Sequence, residues 1–278
     1  MAIDLVTKFS PKVDEIFTTE SKKSLLTNQD YDWNGAHSIK VYSVTTSEMN
    51  DYGRNGAEGE NWSRYGAVED LSATTQEMTL TKDRSFTHAI DKLDTDETGM
   101  VLQAASSLAR QLREVVVPEV DAYTYGVMAL KAGNKPAAVA LTVANIYEKI
   151  IEANTVLDNA EVPETQRQLV VTPDVYLLMK KNKDIIMETS ITAEMRLRGV
   201  IAIIDGLNVI KVPENRLPEK FGFMIAHPVA TVAPTKLEDY TIHANPPGIS
   251  GSLVEGRICY DAFVLNNKKN AIFYQAKT

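Results

Sequence analysis

Apolar side chains recur at three- and four-residue spacing through residues 98–132, at Val101, Ala105, Leu108, Leu112, Val115, Val116, Val120, Tyr123, Val127 and Leu130. That period is the mark of one face of an amphipathic α-helix. At 1.5 Å per residue the helix would be about 50 Å long, well beyond the ~10–14 residues of an average globular helix. Such an element acts as a spine for smaller ones, with Leu108, Leu112 and Val116 expected on its buried side. Asp94, Asp96 and Glu97 precede it, where carboxylates favour the positive end of the helix dipole. Gly133 supplies a stop. Pro118 lacks an N–H and crowds the preceding turn, which predicts a kink or a break there.

Downstream the period changes repeatedly. Residues 137–157 read as a second helix with Val139, Val143, Ile146, Tyr147, Ile150, Ile151 and Leu157 on one face. Leu169, Val170 and Val171 read as a short buried strand, and Pro173 suits the start of a helix running to Lys181. Residues 190–198 give another short helical segment. Asp205-Gly206 between two β-branched apolar runs predicts a tight hairpin. Residues 221–225 and 230–233 read as two more strands, so 134–234 forms a compact α+β domain. Residues 236–243 and 253–265 alternate as long strands around a turn-rich stretch. Lys268-Lys269-Asn270 marks a turn, and 271–275 closes the chain. These late strands are expected against the spine, making a second domain of 93–133 and 235–278.

Upstream, residues 1–36 read as an arm. Phe9, Val13, Ile16 and Phe17 give it one apolar face but no core, so it should lie on another surface. Residues 37–92 read as a long two-stranded excursion. Its outgoing strand turns Ile39, Val41 and Ser43 to one side and Lys40, Tyr42 and Val44 to the other, and its return strand runs from about 74 to 90. The tip holds Gly53, Gly56, Gly59 and Gly66 with Tyr52, Trp62 and Tyr65 interleaved. Loops beyond ~12–15 residues are usually functional, and a two-stranded ribbon alone is marginal in water. Support from outside the chain is therefore expected. Amphipathic aromatics are enriched at protein interfaces, and arginines bind carboxylates through several donors. Tyr52, Arg54, Trp62, Arg64 and Tyr65 are accordingly the candidate contact with a neighbouring subunit.

Charge and composition narrow the chemistry. Lys and Arg total 29 against 37 Asp and Glu, a net charge of −8, which opposes a tight grip on nucleic-acid phosphates. Cys259, the single cysteine, cannot close an intrachain disulfide. No apolar run approaches a membrane span, and the acid-bearing MAIDLVTKFSPKVDE is not a secretory signal. No HExxH, CxxC, GxSxG or EF-hand loop occurs, and His37, His88, His227 and His243 are scattered. The tip glycines lack the Lys-Ser or Lys-Thr of a phosphate loop and the strand and helix of a dinucleotide fingerprint. Asp94/Asp96 and Glu238/Asp239 read as capping and solvated acids, His227 as a loop histidine, and Arg196 and Arg198 as surface charges. No catalytic residue, cofactor site or metal site is assigned, and the chain reads as no enzyme.

Taken together, REVVVPEVDAYTY, QLVVTPDVYLLMKK, DGLNVIKVP and APTKLEDYTIHANPPGISGSLVEGRICYDAFVLNNKK resemble the major capsid proteins of tailed phages of the Hong Kong 97 type. The resemblance implies an α+β fold with an N-terminal arm at 1–36 and an extended β-hairpin loop at 37–92. It also implies a peripheral domain of 93–133 and 235–278 carrying the spine helix, and an axial domain at 134–234. It implies self-assembly as hexamers and pentamers into an icosahedral head around double-stranded DNA, built in the host bacterial cytoplasm and found in the virion. Implied partners are other copies of the chain, portal and head-completion proteins, and packaged DNA held weakly; no membrane is implied. Some family members begin with a cleaved scaffolding region, which is not evident before the arm here, so either a separate scaffolding protein is used, which is the expected partner, or scaffolding is absent. The alternative reading is an encapsulin-type bacterial nanocompartment shell, similar in fold and length, that packages a cargo enzyme.

Overall fold

The computed structural model describes residues 21–28, 30, 31, 33, 38–55, 63–68, 70, 72–97, 103–185 and 200–278. The apolar positions of the arm, Trp62, Arg196, Arg198 and the expected helix at 190–198 lie outside them. The chain forms two compact units, one of Gly35–Thr79 and the other of Met1–Asn34 with Leu80–Thr278.

The first unit is an antiparallel ribbon of β1 (Ser38–Val44) and β2 (Ala73–Thr79), in register from Ser38↔Thr79 to Val44↔Ala73. Lys40, Tyr42 and Val44 are the exposed positions of β1, as its alternation predicts. The expected single return strand is two strands. β2 ends at Thr79, and β3 (Lys82–Asp91) belongs to another sheet. Between them the Thr81 N–H and hydroxyl both donate to Asp261 Oδ2, at 2.8 Å each, so Thr81 is committed to a side chain rather than to a ladder.

In the second unit β3 leads into α1 (Lys92–Glu97), then α2 (Ala104–Gln111), a π-helical turn at Leu112–Val116 and α3 (Val117–Lys131). The acids expected to cap the spine lie inside α1 instead, whose first turn is held by Asp91 Oδ1 accepting the Leu93 N–H at 2.8 Å. Pro118 does not break the spine, because α3 runs through it from Val117 to Lys131. The turn ahead of it widens, with the Val117 N–H bonded to the Leu112 carbonyl five residues back, and this accommodates the missing donor and the ring. Gly133 follows the helix, but not as a left-handed cap. Its N–H donates to the Lys269 carbonyl at 2.9 Å, and a Cβ there would lie 2.7 Å from that backbone.

The buried stripe also differs from the expected one. On α3 the buried residues are Val120, Asp121, Thr124, Tyr125, Met128 and Ala129. Leu130 and Val115, expected inside, are exposed, and Leu108, Leu112 and Val116 are only half-buried. The helix serves two cores. Val120, with Val116 and Tyr123, packs with Ile258 and Tyr260, whereas Tyr125, Met128 and Ala132 join the larger core.

That larger core is built on a five-stranded sheet. After the spine come α4 (Ile146–Asn159), β4 (Gln168–Val171), α5 (Pro173–Lys181), β5 (Val200–Ile204), β6 (Leu207–Lys211) and β7 (Phe221–Ala226). Short β8 (Thr231–Val232) is followed by β9 (Thr235–Ala244), β10 (Gly251–Tyr260), β11 (Phe263–Val264) and β12 (Ile272–Ala276). The sheet order is β12-β7-β4-β6-β5, and every position of β4 and β7 is buried, as in central strands covered on both faces. β3-β10-β9 forms a second sheet, and β11 pairs with β8. The last strand, expected beside the spine, is thus the edge of the large sheet, paired with β7.

Three local outcomes follow from capping and turn chemistry. α4 starts nine residues later than expected, at Ile146 rather than 137, because Thr142 and Asn145 bond each other's backbone and hold a turn before it. The Thr172 hydroxyl accepts the Val175 N–H and starts α5, with Pro173 in its first turn. Asp205 (φ 46°) and Gly206 (φ 77°) form the two-residue turn between β5 and β6, both left-handed as a type I′ turn requires.

Candidate functional site

The five residues proposed for intersubunit contact come from the loop between β1 and β2. Thr45 and Ser72 extend the ladder by one step through paired backbone and hydroxyl bonds of 2.9–3.1 Å. Beyond them the loop closes on itself where the Gly53 N–H donates to the Arg64 carbonyl at 2.8 Å. This bond brings Tyr52 and Tyr65 edge to face, with ring centroids 5.0 Å apart. The structure therefore gathers Tyr52, Arg54, Arg64 and Tyr65, while Trp62 lies outside the described residues. Tyr65 remains 78% exposed despite its partner, and both arginines are exposed.

The sequence reading missed four further members of this surface. Of thirteen large apolar side chains exposed among the described residues, six lie between Tyr42 and Val68: Tyr42, Val44, Met49, Tyr52, Tyr65 and Val68. Exposed apolar groups concentrated in one short stretch are a feature to be explained, unlike apolar residues scattered singly over a surface. The available signal was the alternation of β1, which already turned Tyr42 and Val44 to the outer face.

The charged chemistry of the second unit works in packing. Asp121 on α3 is 2% exposed and bonds Arg216 Nη1 at 2.9 Å, while Ser21 donates to its other oxygen at 2.6 Å. One carboxylate thus joins the N-terminal segment, the spine and the loop before β7. Asp261 accepts from Thr81, from Tyr123 Oη at 2.8 Å and from its neighbour Ala262, which ends β10 and turns the chain into β11. Burial, then the hydrogen bond to Asp261 and its charge, push the Tyr123 phenol up to about 12. Burial and the Glu119 carboxylate push Tyr260 up to about 12 as well. His227 caps the short turn at Pro228–Ala230 by accepting the Val229 N–H at Nδ1, and burial lowers its pKa. Tyr123 and Tyr260 meet edge to face, with ring centroids 5.7 Å apart, and carry Asp261 and Glu119 with them, whereas His227 and the Asp121–Arg216 pair belong to other contacts. Among the described residues no group of three or more His, Cys, Asp or Glu could hold a metal ion, and no helix is long and apolar enough to cross a membrane.

The α+β fold, with a long spine helix, a five-stranded sheet and a two-stranded ribbon, is the one that the resemblance implied. Comparison with solved structures bears this out. A chain from Mycobacterium phage Che8 superposes with a TM-score of 0.75 at 15% identity, covering 98% of this chain and 96% of that one. The capsid structure of the cyanophage P-SCSP1u gives 0.72 at 13%, covering 98% and 93%. The mature capsid of bacteriophage PhiM1 gives 0.71 at 13%, covering 99% and 92%. No protein-family model matches the chain, and no curated protein matches it by sequence.

Proposed function

We propose that this chain is the major capsid protein of a tailed phage, a structural rather than catalytic protein. It assembles as hexamers and pentamers into an icosahedral head around double-stranded DNA, in the host cytoplasm, and resides in the virion. The observation that carries this reading is a fold shared with phage capsid structures over nearly the whole of both chains. The cluster of exposed apolar groups on the ribbon supports it, because a shell needs a surface that is covered only on assembly. In this reading residues 1–36 are the arm, 37–92 the extended loop, 93–133 with 235–278 the peripheral domain, and 134–234 the axial domain. The contact it makes on a neighbour centres on Tyr52, Arg54, Trp62, Arg64 and Tyr65. A scaffolding protein, a portal and head-completion proteins are its other partners, and DNA is held loosely by an acidic chain.

The test is expression of the chain followed by electron microscopy. Shells of uniform diameter support the reading, and a cargo enzyme copurifying with them would favour a nanocompartment instead. Replacing residues 53–66 by a short Gly-Ser link should leave a cooperative melt and unchanged circular dichroism but abolish closed shells. Normal assembly of that variant would remove the tip from the contact.

A further inference from the structure

Two exposed faces of the second unit carry opposite charge around an apolar centre. On α4, the side away from buried Ile146, Ile150 and Leu157 forms an open groove. Ile151 and Val156 lie in it, flanked by Glu148, by Asp184 just beyond α5, and by Glu152, which is paired with Lys149 Nζ at 2.6 Å. The second face belongs to α5 and the end of β6. Leu177 is 53% exposed there. Beside it the Tyr176 ring carries two ammonium groups, Lys180 Nζ at 5.7 Å and Lys211 Nζ at 5.6 Å from its centre. A third lysine joins them, because Lys22 Nζ donates to the Lys211 carbonyl at 3.0 Å. Burial, and then the charges of Lys211 and Arg216, lower the pKa of Lys22. Lysines gathered in this way in a chain of net charge −8 are stabilised by incoming carboxylates.

We propose that the acidic α4 face of one copy docks on the basic α5–β6 face of the next copy of this chain. Charge complementarity joins them, Glu148 and Asp184 meeting Lys180 and Lys211, while Ile151 and Val156 cover Leu177. The exposed leucine favours a protein surface over a nucleic-acid backbone, since phosphates draw nothing from an apolar side chain. When each copy gives its two faces to two different neighbours the contact is head to tail, and a head-to-tail contact whose rotation closes generates a ring. The inference rests on the shell reading for the size of that ring, but not for the existence of the contact.

Two double variants of the full chain test it: Glu148→Lys/Asp184→Lys and Lys180→Glu/Lys211→Glu. Each should melt like the wild type yet fail to assemble in sedimentation velocity and negative-stain microscopy. Carrying all four substitutions on one chain restores complementarity and should restore shells. Mixing the two double variants should give only even-membered rings, because unlike copies must alternate. Wild-type assembly by either double variant overturns the contact, as does a folded four-fold variant that stays unassembled. Shells that form normally but lose DNA in Lys180→Glu/Lys211→Glu would assign the lysines to nucleic acid and overturn it too. If the wild type forms small rings but no shells, the capsid reading fails while the same variants still judge this contact. A monomeric wild type overturns both.

Discussion

The spine helix offers a sharp test of how its two halves are phased. Counting three and four residues from Val120 places Leu130 inside, whereas the structure leaves it 68% exposed and buries Met128 completely. Met128→Ala removes Cγ, Sδ and Cε from the core, which at ~0.8 kcal/mol per buried group is about 2.4 kcal/mol of lost transfer energy. The residual cavity raises the cost to roughly 3–4 kcal/mol, inside the range of ~2–5 for such truncations. Leu130→Ala loses little burial and gains slightly in helix propensity, so it should stay within ~0.5 kcal/mol of the wild type. Leu112→Ala, at a half-buried position, should fall between them at roughly 1–2 kcal/mol. Urea titration of unassembled chains, followed by far-ultraviolet circular dichroism, measures all three. A Leu130→Ala cost equal to that of Met128→Ala would mean that α3 does not turn its Thr124–Met128 side to the core, and the assignment of its buried face would be wrong.

Other outcomes follow from single contacts. Asp121→Ala should destabilise by roughly 3–5 kcal/mol, because it leaves the Arg216 charge buried; adding Arg216→Met to Asp121→Leu should recover most of that loss in the same titration. Gly133→Ala should lower the melting temperature by forcing a Cβ toward the Lys269 backbone. Gly126→Ala, in open space within α3, should stabilise by about 0.5–1 kcal/mol. Tyr123 and Tyr260 favour the neutral phenol in the folded state, with pKa values raised from 10.0 to about 12. Their contribution to stability is therefore complete below pH 10 and is lost as the pH rises through about 12. Absorbance at the tyrosinate band should show late titration, and Tyr123→Phe with Tyr260→Phe should remove the part near pH 12 while leaving that of Tyr125, which burial raises further.

Elements set by local chemistry were legible in the sequence. The β5–β6 turn follows from Asp205-Gly206 alone, and Thr172-Pro173 marks the start of α5 as clearly as any cap can. Errors arose where a distant partner decided the outcome. Nothing near Thr81 announces that Asp261 will interrupt the strand there, 180 positions later. Asp121 and Thr124 fell out of an apolar count, although both lie on the buried face, one in an ion pair and one bonded back to the Val120 carbonyl. The candidate contact surface was half visible. Its aromatic tip stood out by composition, whereas Met49 and Val68 carry no pattern and emerge only from exposure in the fold.

The position of β12 has a consequence for how copies are made. The outermost strand of the large sheet comes from residues 272–276, yet its neighbour β7 is complete by residue 226 and β4 by 171. While a ribosome is still producing the intervening residues, β7 has an open, wholly apolar edge and the larger core is unsealed. Pairing between segments so far apart in sequence is slow, and unsealed strand edges invite aggregation. Translation therefore acts as a quality gate. A copy cut short before residue 272 should be digested rapidly by a protease that spares the full chain.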